Sequence, residues 1–313
     1  MIRTILALFA LAPAMAASGS EVRARAMASD QSQEVVVTAL RTGAPVWRVR
    51  SSTGTLILVG SIDHVAAGTD WRPAALMETV GKADRVMFPQ TVGISLSPFS
   101  LIGYYAKWKR RARLPQGQSL SGMIDKADFI RLRRLAAQGL APADFNIWHP
   151  LHLSFNMQDR LRKRTGLMED ANATVSRAAG KFKVARVPLQ QASVRPLADS
   201  VFNSQPADHV PCLLATIAAV EAGPEGLRAR SRDWAGKRVQ AALASPSQGM
   251  GAACWPRNTN PLALAQLVGT ARRTLAAPGA TVAVVNLDTL ARSGGLLDVL
   301  RTGGYEINGP GWR

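Results

Sequence analysis

The chain has 313 residues, is 47% hydrophobic and carries a formal charge of +17. That length and apolar content suffice for a real core and exclude a disordered tail or a small cross-linked scaffold. Its two cysteines form no C-x-x-C pair, which argues against a zinc knuckle.

The first residues, MIRTILALFALAPAMAASGS, place Arg3 before the apolar run Ile5 to Ala12 and then Ala14-Met15-Ala16, a small-x-small cleavage pattern. Residues 1–16 are therefore expected to be a secretory signal, and the protein to be periplasmic or attached to the cell envelope. In such an oxidising compartment Cys212 and Cys254 are expected to pair, with two buried free thiols as the alternative. Residues 17–44 read as a flexible leader, within which EVVVTAL, from Glu34, is β-branched and reads as a short strand or an extended arm.

VWRVR (46–50) and TLILVG (55–60), separated by Ser-Ser-Thr-Gly, form an expected hairpin. PAALMETVGKA, with proline at an early helical position, is an expected helix, and DRVMF the strand after it. Four helical patterns follow, in DKADFIRLRRLAAQ, EDANATVSRAAGKF, HVPCLLATIAAVEAG and PLALAQLVGTARRTLAA, with one strand at KVARVPL. TVAVVNL then reads as a buried strand, DTLARSGG as a polar turn, LLDVLRTG as a helix and YEI as a closing strand. Similar strand-turn-helix-strand units thus bracket the chain. The expected architecture is α/β (α+β): one domain over 45–313, with a mixed central sheet built from its two ends and a large helical insert over about 95–275.

Charge concentrates in the middle, where roughly 17 Lys and Arg stand against 6 Asp and Glu between Leu101 and Gln190. The runs are KWKRRAR, RLRR and RLRKR. Lys107, Lys109, Arg110 and Arg111 form the candidate patch for an anionic envelope partner, lipid headgroups or an acidic polysaccharide, beside the alternatives of another envelope protein or plainly solvated helix faces. A nucleic acid is the least natural partner of an exported chain, and one interleaved tryptophan, Trp108, is a weak stacking signal.

PVWRV, TLILVGSID, ADRVMF, TVAVVNLD and GGLLDVLRTGGYEI together resemble the TraB/GumN family, which includes Tiki-type metalloproteases and shares a core with ChaN-like folds. The resemblance runs from about Pro45 to Ile307. It implies two Gly-x-x-His motifs at equivalent strand ends and a glutamate after the next strand, a set able to hold a divalent metal and a water nucleophile. Here the first motif falls on Gly60-Ser61-Ile62-Asp63 and the second on Val285-Asn286-Leu287-Asp288, so Asp63 and Asp288 stand where the family has histidines. The glutamate positions land near Pro89 or Gln90 and near Gln190.

The cleft expected from this comparison is lined by Gly60, Ser61, Asp63, His64, Asn286 and Asp288. Its favoured role is binding without chemistry, with no cofactor, because aspartate in a strand-to-helix turn commonly caps backbone NH groups. The alternatives are a hydrolase with a hard divalent ion on Asp63 and Asp288, direct acid-base use of that pair, or a slipped register in which His64 takes the first ligand's place. His149 and His152, three apart around Pro150, read as surface or interface residues packed with Trp148. His209 reads as decoration before the Cys212 helix. A G-x-S-x-G elbow and a phosphate-binding glycine loop are absent.

Overall fold

The computed structural model describes residues 33–87, 98–168, 170–187, 203–248, 254 and 259–313. The expected signal, Pro89, Gln90 and Gln190 lie outside the described residues.

The two longest apolar runs become strands that lie side by side. Strands β1 (Val46–Arg50) and β2 (Gly54–Ser61) form the expected antiparallel hairpin, Val46 facing Val59 and Arg50 facing Thr55. Ser51 closes its turn, its Oγ accepting from the backbone NH of Thr53 and Gly54. β5 (Gly279–Asn286) runs parallel to β2 from the pair Gly54 and Gly279 to the pair Ser61 and Asn286. Strands covered on both faces need no polar alternation, which is why TLILV and TVAVV read as continuous apolar runs. β3 (Arg85–Met87) adds parallel to β5, β4 (Ala185–Val187) parallel to β3, and β6 (Glu306–Asn308) antiparallel to β1. The six-stranded mixed sheet has the order β4-β3-β5-β2-β1-β6, so the fold class is the α/β arrangement expected.

Of the helices, α1 spans 33–40, α2 Pro73–Lys82, α3 Pro98–Arg110, α4 Lys126–Ala137, α5 Pro150–Thr165 and α6 Ala171–Lys181. They are followed by α7 (Val210–Ala235), α8 (Val239–Ala244), α9 (Thr259–Leu275), α10 (Leu287–Ala291) and α11 (Leu296–Thr302). Two expectations are corrected. EVVVTAL is helical, and residues 33–44, assigned to the leader, pack on the domain: Val35, Ala39 and Ala44 are wholly buried. Val35, Thr38 and Ala39 share one helical face, and burying that face outweighs the β preference of three consecutive valines. DTLARSGG does not form a plain turn either, since Leu287–Ala291 is the short helix α10.

The sheet and its flanking helices share one core, with Trp47, Leu56, Ile57, Leu58, Val282 and Leu296 among its fully buried members. The insert has a second, made by Leu132, Leu153, Met157, Leu213, Ile217 and Val220. α7 serves both because it is broken. Gly223 takes a positive φ of 63° and Pro224 cannot donate a helical hydrogen bond, so the helix changes direction there. Its first part buries Leu213, Ile217 and Val220 in the insert, and its second carries Arg230, Ser231 and Trp234 to the end of β2. There Trp234 is fully buried, packs edge-on against Trp71 with centroids 5.2 Å apart, and donates Nε1–H to the Gly60 carbonyl at 2.8 Å.

Cys212, at the head of α7, forms a disulfide with Cys254 across a sequence separation of 42. Both sulfurs are buried beside Leu151, with Trp108 and Phe155 against them.

Two stability measurements follow. Trp234→Phe keeps the ring but leaves the buried Gly60 carbonyl without its donor, and is expected to lower unfolding free energy by about 1 to 3 kcal/mol in urea melts. Replacing both cysteines by serine is expected to remove about 3 to 4 kcal/mol, the chain-entropy value for a loop of this length, seen as a lower denaturation midpoint.

Candidate functional site

The register of β2 against β5 decides what meets at the strand ends. Ser61 pairs with Asn286, and two residues further along each chain stand Asp63 and Asp288. Between them Ile62 and Leu287 turn into the core, 2% and 0% exposed, so the outward positions fall to the two aspartates. Asp63 meets the second strand end through Asn286.

Asn286 ties the pair together. Its Nδ2 donates to Asp63 Oδ1 at 3.1 Å, while its Oδ1 accepts the backbone NH of Asp288 at 2.9 Å and so caps α10. Asp288 in turn lies 3.7 Å from the Arg292 guanidinium, one turn along that helix. Ser61 is buried, and no base is hydrogen-bonded to it among the described residues. Gly60 is needed for close packing, because a Cβ there would lie 2.8 Å from Leu287 Cδ1 and 3.0 Å from the Trp47 ring.

The carboxylates also feel a cation that the local sequence does not announce. Arg230 is 3% exposed, its Nε and Nη1 donating to the carbonyls of Ala242 at 3.3 Å and Ser247 at 3.2 Å. Burial pulls its pKa below the ordinary arginine value, and the charges of Asp63 and Asp288 oppose that fall. A guanidinium stays charged under such conditions, so Arg230 is a fixed positive charge whose field reaches both carboxylates. His64 is held below the ordinary histidine pKa, first by burial and then by Arg162, with Asp63 pulling the other way and Arg230 adding a smaller depression.

The donor set does not fit a divalent ion. The Asn286 amide is engaged at both ends, a buried guanidinium already supplies positive potential, and among the described residues no three His, Cys, Asp or Glu side chains converge to hold a metal.

A match to the TraB/PrgY/gumN family spans residues 45–309. The chain belongs to that family. This TraB/PrgY/gumN chain has no match among curated proteins and none among solved structures. Within the family scaffold, the sequence placed Gly60, Ser61, Asp63, His64, Asn286 and Asp288 at the two strand ends, and the structure brings Asp63, Asn286 and Asp288 into one network. It left out Arg230 and Arg162, which arrive from helices distant in sequence and follow no local motif.

The remaining candidates are placed as follows. Lys107, Lys109, Arg110 and Arg111 lie exposed at the C-terminal end of α3, where cations suit the helix dipole, with Lys109 Nζ 4.9 Å from the ring of exposed Tyr105. The histidine reading is corrected. His149, His152 and His209 are all buried, 6%, 8% and 4% exposed, and gather where α5 meets the start of α7. His152 stacks on Trp108 at 3.7 Å, not on Trp148, whose Nε1 donates to Asp144. His209 Nε2 lies 2.6 Å from Ser204 Oγ. The spacing of His149 and His152 around Pro150 hid this, because their third member comes from another helix.

Burial, with His209, His152 and Arg111 adding like charge, pushes His149 down to about 3. Burial and His209 push His152 down to about 4. The folded state holds both neutral while the unfolded chain protonates them near pH 6.5, so their contribution is complete above that pH and is lost as pH falls from about 6.5 toward 4. The melting temperature is expected to drop on acidification from pH 6.5 to 5, and the drop to be shallower in a His149→Gln, His152→Gln variant. Equal slopes in calorimetry would refute the assignment.

Proposed function

We propose that this chain is an exported, periplasmic or envelope-attached member of the TraB/PrgY/gumN family that works as a binding or accessory protein through the cleft at its two strand ends, without the chemistry its scaffold once carried. The N-terminal cleavage pattern and the Cys212–Cys254 disulfide support the compartment. The observation that supports the role is the Asn286 bridge: both ends of one amide are committed to the two positions where the family resemblance places histidines. Catalysis by metal-bound water needs an ion with an open coordination position, and acid-base catalysis needs a proton donor or acceptor tuned to its task. Here the carboxylates are balanced by fixed arginines, which favours recognition over turnover.

The exposed cations at the end of α3, beside Tyr105, favour a second reading in which this surface holds the protein to an anionic envelope component while the cleft is unused.

The discriminating measurement is metal content by plasma mass spectrometry on the chain from Ala17 onward, with its disulfide formed, as isolated and after exposure to Mn, Zn, Mg and Ca. An Asp63→Ala, Asp288→Ala variant is run beside it. The expected result is no stoichiometric metal in either. One ion per chain in the parent and none in the variant, together with peptide hydrolysis, would replace this reading with a metal-dependent hydrolase.

A further inference from the structure

No acidic residue stands between Asp84 and Asp125, and within that stretch the run KWKRRAR, Lys107 to Arg113, sets five cations around one tryptophan. Helix α3 carries Lys107, Lys109 and Arg110 in its last turn, with Arg111 directly after it. Ahead of them the same helix supplies Phe99, Leu101, Ile102, Tyr104 and Tyr105, so an apolar and aromatic sequence leads into a basic end.

The helix is fixed to the insert through one ring and at one end. Trp108 stacks on His152 with centroids 3.7 Å apart, meets Phe155 edge-on at 5.4 Å and packs beside the Cys212–Cys254 disulfide. Just past the helix, the Ala112 carbonyl accepts the His149 NH at 3.0 Å, and Leu114 NH donates to the Ile147 carbonyl at 2.8 Å. Arg113 is taken up by Asp144 at 3.0 Å. Trp108 faces inward, whereas Gly103, Tyr105, Lys107, Lys109, Arg110 and Arg111 are exposed. Tyr105 is 60% exposed, with Lys109 Nζ 4.9 Å from its ring centroid.

Lysines and arginines in water suffice to attract a hydrated polyanion, which engages the charges and leaves most of such a ring in solvent. At the headgroup level of a bilayer the ring rests against acyl carbon while its hydroxyl stays in the polar layer, and tyrosine concentrates there for that reason. Cations at the same level meet anionic headgroups. An exposed tyrosine among exposed cations on one helix therefore fits a lipid surface better than a dissolved polymer.

We propose that the solvent-facing side of α3 is a membrane-surface site that docks on an anionic lipid bilayer, with Tyr105 entering the headgroup layer and Lys107, Lys109, Arg110 and Arg111 meeting lipid phosphates. The assignment rests on the second reading given above, in which this surface holds the protein to an anionic envelope component, and it names that component as lipid. Trp108 stays on His152, so the insert presents a helix already formed and spares the cost of ordering one on the membrane.

The test uses the full chain from Ala17 onward, with its disulfide formed, in co-sedimentation with vesicles of phosphatidylcholine alone and of phosphatidylcholine mixed with phosphatidylglycerol in equal parts. Soluble polygalacturonate serves as the polysaccharide arm. Binding to the anionic vesicles and not to the neutral ones is expected, weakening as salt is raised. Each cation near an anionic surface is worth about fivefold, so Lys107→Glu, Arg110→Glu, Arg111→Glu is expected to weaken binding by about a hundredfold or more. Reversing three exposed cations on other elements, Lys181→Glu, Lys237→Glu, Arg273→Glu, is expected to cost far less. Tyr105→Ser is expected to weaken vesicle binding several-fold at unchanged charge. Both native cysteines are in the disulfide, so Tyr105→Cys can carry an environment-sensitive dye, whose emission is expected to shift to the blue on the anionic vesicles.

Circular dichroism checks that the reversed variant folds, and Lys107→Gln, Arg110→Gln, Arg111→Gln takes its place where it does not. The proposal is overturned if the anionic vesicles are not bound, if both triple reversals weaken binding equally, or if binding proceeds with no dye shift and no loss in Tyr105→Ser. Capture by polygalacturonate without capture by vesicles overturns the lipid assignment and leaves the anionic-surface reading standing. Binding to neither removes that reading as well.

Discussion

Parallel pairing of β2 with β5 is the constraint on which the rest of the molecule depends. It joins residues 54–61 to residues 279–286, and every other strand attaches to one side or the other of that pair. Parallel neighbours cannot be linked by a tight turn, so a long connection must pass over the faces of the sheet. The insert is that connection grown large enough to have a core of its own. The same pairing brings Asp63 and Asp288 out at the same level, on the side where helices start after strands, which is where open α/β sheets characteristically gather their ligands.

Electrostatics then gives these strand ends their character. A bound divalent ion is exchangeable and can polarise water. A guanidinium held by the Ala242 and Ser247 carbonyls is permanent, has no vacant coordination position and has no acceptor lone pair. Removing the buried arginine would leave Asp63 and Asp288 with less positive charge near them, and removing both carboxylates would leave a cation in low-dielectric surroundings. The three charges are therefore electrostatically linked.

Much of this was legible in the sequence where local pattern and tertiary setting agree. The runs TLILV and TVAVV announced strands buried on both faces, the Ser51–Gly54 turn announced the hairpin, and both motif positions could be laid on the family scaffold before any geometry was known. EVVVTAL misled because its valines favour a strand while its burial has helical spacing, Val35 with Ala39, and only the surface it packs against reveals which matters. That Ser61 lies opposite Asn286 depended on strand register, which alternates by single residues and is fixed by a partner more than 200 positions away. Arg230 could not be found because an arginine on a helix normally reads as exposed, and its carbonyl partners come from α8 and the turn after it. The histidine cluster was hidden for the same reason, because His209 reaches His149 from a distant segment.

The order of strands along the chain has a consequence for how the protein is made. β1 and β2 are near the beginning, but β5, which pairs with β2, and β6, which covers the outer side of β1, are both supplied by the last 35 residues. A chain emerging from its N-terminus therefore holds a hairpin with both edges bare throughout synthesis of the insert, and bare apolar edges are adhesive. Cys212 and Cys254 both precede β5, so the cross-link can close while the sheet is still incomplete. The insert can thus be locked before the domain that carries it exists, and a chain cut short before Gly279 would keep its disulfide while presenting an open sheet to its neighbours.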